Sequence, residues 1–269
     1  HYENFPVASW LLPKKFRDPI AAIYCFARTA DDFADEGVIA PQVRLDELGK
    51  MEKILDNITQ GEYPSEPYYA ALADTIHSYS LPIQLFKDLL TAFRQDVTKQ
   101  RYASFDELMN YCRYSANPVG RLLLHLYKAQ EPADLECSDS ICSALQLINF
   151  LQDLHQDYTE MGRIYIPLDE LQRFGVTEDN IAHRISNQAM GRLMEYQIKR
   201  ATAMLSAGAP LCKRLSGRAG LELRLIVLGG LRILQRLRNQ QNNLFGRPRL
   251  TTTDWIWMCH HAVTGTFPT

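Results

Sequence analysis

The chain has no surplus of positive charge. Its 269 residues carry 29 Lys and Arg against 31 Asp and Glu, a formal net charge of −2. No broad surface is set aside for neutralising a phosphate backbone, and nucleic acid is excluded as the main partner. Long apolar runs are also lacking. The stretch Leu223 to Leu234 is broken by Arg224 and Arg232 and falls short of the ~20 residues that span a bilayer, so any membrane role is contact with its surface. The six cysteines (Cys25, Cys112, Cys137, Cys142, Cys212, Cys259) form no CxxC pair. No Cys/His cluster has the spacing of a zinc site, His260-His261 stands alone, and no secretory signal is visible; reduced thiols in a cytoplasmic protein are the expectation. A first residue that is histidine rather than methionine implies that a few N-terminal residues are missing. No repeat, low-complexity segment or flexible linker divides the chain, so residues 1–269 read as one domain.

What is present is helical periodicity nearly throughout. Asp18-Pro19 reads as an N-cap with proline at the first helical position, and the stripe Ile20, Ile23, Tyr24, Ala27, Ala30 extends it to a helix over about 18–36. Pro41 opens a polar helix to about 60, closed by Gly61, Pro64 and Pro67. Further helices are predicted at about 67–79, 82–100, 104–128 and 138–160, then a short extended link from Gly162 to Pro167. Helices resume at about 178–206, 208–215 and 218–240, and, after the turn Gly246-Arg247-Pro248, at about 252–260. With no strand run, the fold class is all-α, a bundle whose interior is the natural place for a ligand.

Two of these helices break the rule that a buried face is uncharged. On the first, Tyr24, Arg28, Asp31 and Asp35 fall within about 60° of one another, so one face carries an arginine and two carboxylates; Asp32 and Glu36 are turned aside. On the second, Asn149, Asp153 and Asp157 recur at i, i+4, i+8. Like charges at this spacing repel, and more so when partly buried, unless a cation sits between them. Oxygen donors without His or Cys select hard cations, and so loose a set suits Mg²⁺ that keeps waters and shares a phosphate.

These residues carry a resemblance. Asp31-Asp32-Phe-Ala-Asp35 and Asn149-Phe-Leu-Gln-Asp153-Leu-His-Gln-Asp157 resemble the two aspartate-rich motifs of the squalene/phytoene synthase family, the head-to-head branch of the all-helical isoprenyl diphosphate synthases. Tyr111-Cys-Arg-Tyr114-Ser-Ala-Asn-Pro-Val-Gly120 is similar to the segment between them, and Arg163-Ile-Tyr-Ile-Pro167 to the one that follows. The opening His1 to Ser9, the Asn-Phe-Leu-Gln-Asp form of the second motif and the tail from Arg247 to Trp255 are most similar to the bacterial branch of hopanoid and squalene biosynthesis. The resemblance implies an isoprenoid-synthase bundle with a central cavity. It implies a Mg²⁺ enzyme, with two or three ions bound alongside substrate, that ionises presqualene diphosphate, rearranges the cyclopropylcarbinyl cation and quenches it with water to give hydroxysqualene. NADPH is not expected: no Gly-x-Gly-x-x-Gly follows a strand, which agrees with water as the terminal acceptor.

Carried onto this sequence, the resemblance makes Asp31, Asp35, Asn149, Asp153 and Asp157 the metal ligands, and Arg28 and Arg163 donors to phosphate oxygens. Tyr24, Gln146, Gln152, His1 and Arg247 are substrate-binding candidates by matching position alone. Phe5, Phe33, Phe150, Tyr111 and Tyr114 are candidates for an aromatic wall facing a carbocation, although each would serve equally as ordinary core. Tyr111 and Tyr114 are also the catalytic candidates. A phenol of ordinary pKa near 10 is a poor base at neutral pH, which makes the released diphosphate the better proton acceptor. Two departures stand out: Gln152 where many members have Arg, and Asn117-Pro118, whose proline should kink the 104–128 helix.

The alternatives are a presqualene diphosphate, dehydrosqualene or phytoene synthase joining two prenyl diphosphates, a non-catalytic helical assembly factor, and a nucleotide pyrophosphohydrolase. Retained aspartates argue against the second, and the apolar helices against the third. Presqualene diphosphate or another prenyl diphosphate is the expected partner, with peripheral contact at the inner membrane and with neighbouring enzymes following from its lipid nature.

Overall fold

The computed structural model describes residues 13–35, 37, 39–240 and 243–267, and in them the chain forms thirteen helices and no strand. In chain order these are α1 Lys14–Asp35, α2 Pro41–Thr59, α3 Pro67–Tyr79, α4 Ile83–Thr98, α5 Phe105–Ser115, α6 Asn117–Tyr127, α7 Pro132–Met161, α8 Leu168–Phe174, α9 Glu178–Ala182, α10 Gln188–Gly208, α11 Leu211–Arg214, α12 Gly217–Asn239 and α13 Thr252–Thr264.

Several boundaries differ from those expected, each for a local reason. Asp18-Pro19 does not start α1; Pro19 lies inside it, and the carbonyl of Lys15, which the missing N–H would have bonded, accepts instead from the Tyr79 hydroxyl at 2.9 Å. Pro118 does more than kink: the segment expected at 104–128 breaks into α5 and α6 at Ala116, with Pro118 in the first turn of α6. Helix α7 begins at Pro132, again a proline in the first turn, six residues before the expected start. The helix expected over 178–206 is two helices, α9 and α10, preceded by a short α8 that was not expected. Gly175 in the left-handed region ends α8, Thr177 and Asn180 form a capping box on α9, and Asn187 caps α10 by accepting from the Met190 amide.

Two apolar clusters hold the helices. One gathers Phe26, Leu48, Leu55, Leu72, Phe86 and Leu122 from α1–α4 and α6. The other centres on α7 and joins Leu147, Leu151 and Leu154 to Tyr111, Leu193, Ile198, Leu205 and Leu234. Helix α10 lies close against α7 at Gly208, where a Cβ would run into the Ile141 side chain and come within 2.6 Å of the Cys137 carbonyl oxygen. The first acidic motif thus belongs to one cluster and the second to the other.

No helix among the described residues is long and apolar enough to cross a membrane. All six cysteines are free thiols. The expected link after α7 is extended: Ile164 and Leu168 donate to the carbonyls of Gln100 and Tyr102, and Arg101 and Ile164 form a parallel bridge.

Candidate active site

Two helix ends position the site. At the C-terminus of α1, the Arg44 guanidinium gathers the carbonyls of Phe33, Ala34, Gly37 and Ile39. A cation here satisfies groups the helix leaves unpaired and favours its negative end, so the turn bearing Asp35 is held. At the C-terminus of α7, Gly162 adopts φ 66, a left-handed conformation that costs glycine little. Its amide and that of Arg163 bond back to the carbonyls of Tyr158 and Asp157. The reversal sends the Arg163 side chain across to α1.

Arg163 is buried and holds Asp35 with both arms of its fork, Nη2 to Oδ1 at 2.5 Å and Nη1 to Oδ2 at 3.2 Å, while Nη2 also donates to the Asp96 carbonyl oxygen at 2.7 Å. Arg247 does the same for the second motif: its Nε lies 2.6 Å from Asp153 Oδ1 and its Nη2 donates to Oδ2 at 3.0 Å. Arg163, expected to meet phosphate, and Arg247, a substrate-binding candidate by position, therefore each clasp one aspartate, one per motif. Arg28 divides itself between Asp31 at 3.2 Å and Asp32 at 2.6 Å. Asp32 is therefore not turned away from the cluster's charge, because its side chain reaches one helical turn back to Arg28.

The remaining carboxylates carry excess negative charge. Burial and then the Asp35 charge push the Asp31 carboxyl up to about 6, against the opposing pull of Arg28. Burial and then Asp153 raise Asp157 to about 7, with Asp35 also felt there. Asp153 is raised by burial in spite of Arg247. Asn149, on the same face of α7, is exposed. Among the described residues no three His, Cys, Asp or Glu side chains converge tightly enough to hold an ion alone. An all-oxygen donor set with uncompensated charge fits a hard divalent cation such as Mg²⁺ that completes its shell with waters and phosphate oxygens.

Beneath the carboxylates lies an aromatic group. Phe150 stacks on Tyr165 with centroids 3.7 Å apart and planes 7° apart, and Tyr111 and Tyr102 stand 5.8 and 5.7 Å from Tyr165. Into this group projects Asp96 from the end of α4. Its Oδ2 accepts from the Tyr111 hydroxyl at 2.9 Å and its Oδ1 from Tyr165 at 3.4 Å. Burial raises its carboxyl to about 7, against the opposing influence of Arg163 and of the Tyr111 hydrogen bond. Tyr111 is raised well above 10, first by burial and then by Asp96, so it remains a neutral donor.

Of the other candidates, Tyr24, Phe33, Gln146 and Tyr114 are half-buried, with Tyr24 and Phe33 on α1, Gln146 on α7 and Tyr114 on α5. Gln152 is buried and donates to the Pro248 carbonyl at 2.7 Å, one residue beyond Arg247, so in this structure it anchors the tail. His1 and Phe5 lie outside the described residues, as does Glu36. His260-His261 gathers no metal cluster; His261 Nδ1 pairs with the Thr266 hydroxyl at 2.7 Å. Asp96 and Tyr165 were missed from the sequence. A signal existed for Asp96, which ends the apolar stripe Leu85, Leu89, Ala92 of α4, but a lone carboxylate shows no spacing. A separate groove of about 720 Å³ between α8 and α10, lined by Arg173, Arg192, Tyr196 and Lys199, shares no residue with the carboxylates.

The family profile described as squalene/phytoene synthase matches residues 1–255. The chain belongs to this family. As a squalene/phytoene synthase family enzyme it is 37% identical over 239 residues to hydroxysqualene synthase of Rhodopseudomonas palustris, covering 88% of this chain and 80% of the relative. It is 34% identical over 219 residues to phytoene synthase of Mycobacterium tuberculosis, covering 80% and 71%. The solved structure of squalene synthase HpnC from Alicyclobacillus acidocaldarius superposes with a TM-score of 0.83 at 36% identity, covering 90% of each chain. The family acts on prenyl diphosphates, and the all-α expectation holds among the described residues.

Proposed function

We propose that this enzyme converts presqualene diphosphate to hydroxysqualene and diphosphate. The observation that carries the reading is the pairing of Asp35 with Arg163 and of Asp153 with Arg247. It places two forked cations among two sets of carboxylates from different helices. Relatives named hydroxysqualene synthase, at 37–41% identity, support the choice of product.

Ionisation requires the diphosphate's growing negative charge to be stabilised. Mg²⁺ held by Asp31, Asp35, Asn149, Asp153 and Asp157 would supply Lewis-acid neutralisation of that charge. The guanidinium forks of Arg163 and Arg247, engaged with Asp35 and Asp153, hold those carboxylates in position and keep positive charge beside the leaving group as it departs. The Phe150–Tyr165 stack and Tyr111 offer ring faces to the allylic and cyclopropylcarbinyl cations and exclude bulk water until the rearrangement is complete. Asp96 fixes the direction of the Tyr111 hydroxyl, leaving its oxygen free to orient the quenching water. A neutral phenol this buried is no base, and the proton lost from the water passes to the departed diphosphate.

Incubation with Mg²⁺ and presqualene diphosphate, with and without NADPH, tests the reading. A hydroxylated C30 alcohol formed equally in both is expected. Accumulation of a cyclopropyl diphosphate from farnesyl diphosphate, or a hydrocarbon formed only with NADPH, would overturn it.

A further inference from the structure

Helix α13 is apolar on two sides. Met258 and Ala262 are buried against Leu228 of α12, and the opposite side presents Ile256 at 68% and Val263 at 78% exposure, with Trp255, in line with Ala262, at the edge between the two sides at 36%. Ile256 and Val263 are the most exposed large hydrophobic side chains among the described residues. They lie seven positions apart, two helical turns, and so form one stripe. From Trp255 to Thr269 the sequence has no Asp, Glu, Lys or Arg. A solvent-facing helix of this composition is unusual unless something covers it.

Charge says what covers it. Although the whole chain is near neutral, residues 211–269 hold nine Lys and Arg against two Asp and Glu, and with Asp134, Glu195 and Asp153, the partners of Arg214, Arg238 and Arg247, counted in, nine cations still face five carboxylates. One of the two acids, Asp254, is wholly buried between Arg232 and Arg236, each 2.5 Å away. The arginines run along the flank of α13: Arg224 donates to the Ala262 carbonyl at 3.2 Å, and the Arg232 guanidinium lies 5.3 Å from the Trp257 ring. Arg218, at the start of α12, is exposed. An apolar stripe with arginines beside it is the pattern of a helix lying in a membrane interface, with its side chains among the acyl chains and the cations among anionic headgroups. A second copy of this chain is disfavoured, because a two-fold contact through α13 would bring two positive segments together.

We infer that the outward face of α13, through Ile256 and Val263 with Trp255 at its edge, docks on an anionic lipid bilayer. Helix α13 is tied to the site in sequence and in packing: Leu250, three residues beyond Arg247, packs against both the main core and the buried side of α13. Docking thus sets the tail that clasps Asp153 at the membrane surface, where a prenyl substrate dissolves. The inference stands on exposure and charge and deepens the reading of the substrate as a lipid.

Flotation of the full chain with vesicles, without substrate or Mg²⁺, tests it independently of which product forms. Binding to phosphatidylcholine/phosphatidylglycerol vesicles is expected, much weaker to phosphatidylcholine alone. It should fall at least tenfold in Ile256→Glu/Val263→Glu and in the milder Ile256→Ser/Val263→Ser, with unchanged circular dichroism melts in both. Equal vesicle binding by wild type and folded variants, no binding to anionic vesicles, or a wild-type dimer that the substitutions dissociate would each overturn it.

Discussion

Replacing Arg163 with Met tests the centre of the site. The side chain is 8% exposed and makes two contacts to Asp35, at 2.5 and 3.2 Å, and one to the Asp96 carbonyl oxygen, at 2.7 Å. Methionine keeps much of the length and none of the charge, leaving Asp35 an orphan carboxylate with a side chain 19% exposed. Removing one partner of a buried pair costs about 3–5 kcal/mol, and the partial exposure of Asp35 places this case near 3 kcal/mol. For a chain of this size that is a fall of about 6–12 °C in melting temperature. Asp35→Asn in the Arg163→Met background should recover most of the loss, because the orphan charge is gone. Arg163 also restrains the carboxyls of Asp31 and Asp157, so its loss should enlarge the stabilisation by Mg²⁺. The assay is thermal circular dichroism of the four proteins of the cycle at pH 7.5, with and without Mg²⁺. A single variant melting within about 2 °C of wild type, or a double variant no more stable than the single, refutes the assignment of Arg163 as counter-ion to Asp35.

The pH dependence follows from the raised carboxyls of Asp31, about 6, and of Asp96 and Asp157, about 7. Folding holds protons on these groups that the unfolded chain has released, so their contribution to stability is full below about pH 4 and fades as pH rises through 6–7. The metal-free melting temperature should fall from pH 5 to pH 8 and Mg²⁺ should raise it more at pH 8; a rise with pH in the metal-free protein contradicts the charge crowding. Gly208→Ala should destabilise by about 1–3 kcal/mol in denaturant titration, because the new Cβ meets the Ile141 side chain and the Cys137 carbonyl, which is backbone and cannot move aside; an unchanged midpoint shows that α10 and α7 pack less tightly there. Gln152→Leu leaves the buried Pro248 carbonyl without its donor at a cost of about 1–3 kcal/mol, and should raise KM more than it lowers kcat by loosening Arg247. A lowered melting temperature with unchanged KM would confine Gln152 to the fold.

Spacing along the chain determined which residues share a helical face. The 3.6-residue period placed α3 at its observed ends and set Asp31 with Asp35, and Asp153 with Asp157, because charges one turn apart on an apolar face are visible in one dimension. Where a local signal is ambiguous the reading failed: Pro19 suits a helix start but is tolerated inside α1 because Tyr79 bonds the freed carbonyl of Lys15, sixty-four residues before it. Tertiary structure alone decided which faces meet. Asp35 and Arg163 are 128 residues apart, Asp153 and Arg247 are 94 apart, and Gln152 and Pro248 are 96 apart. Asp96 has no patterned neighbour on α4, and only the approach of α5 and the link after α7 gives its carboxylate the hydroxyls of Tyr111 and Tyr165. Periodicity is a property of one helix, whereas ion pairing and burial are set by the neighbour it packs against, and that choice rests on the shape of two apolar clusters no single segment contains.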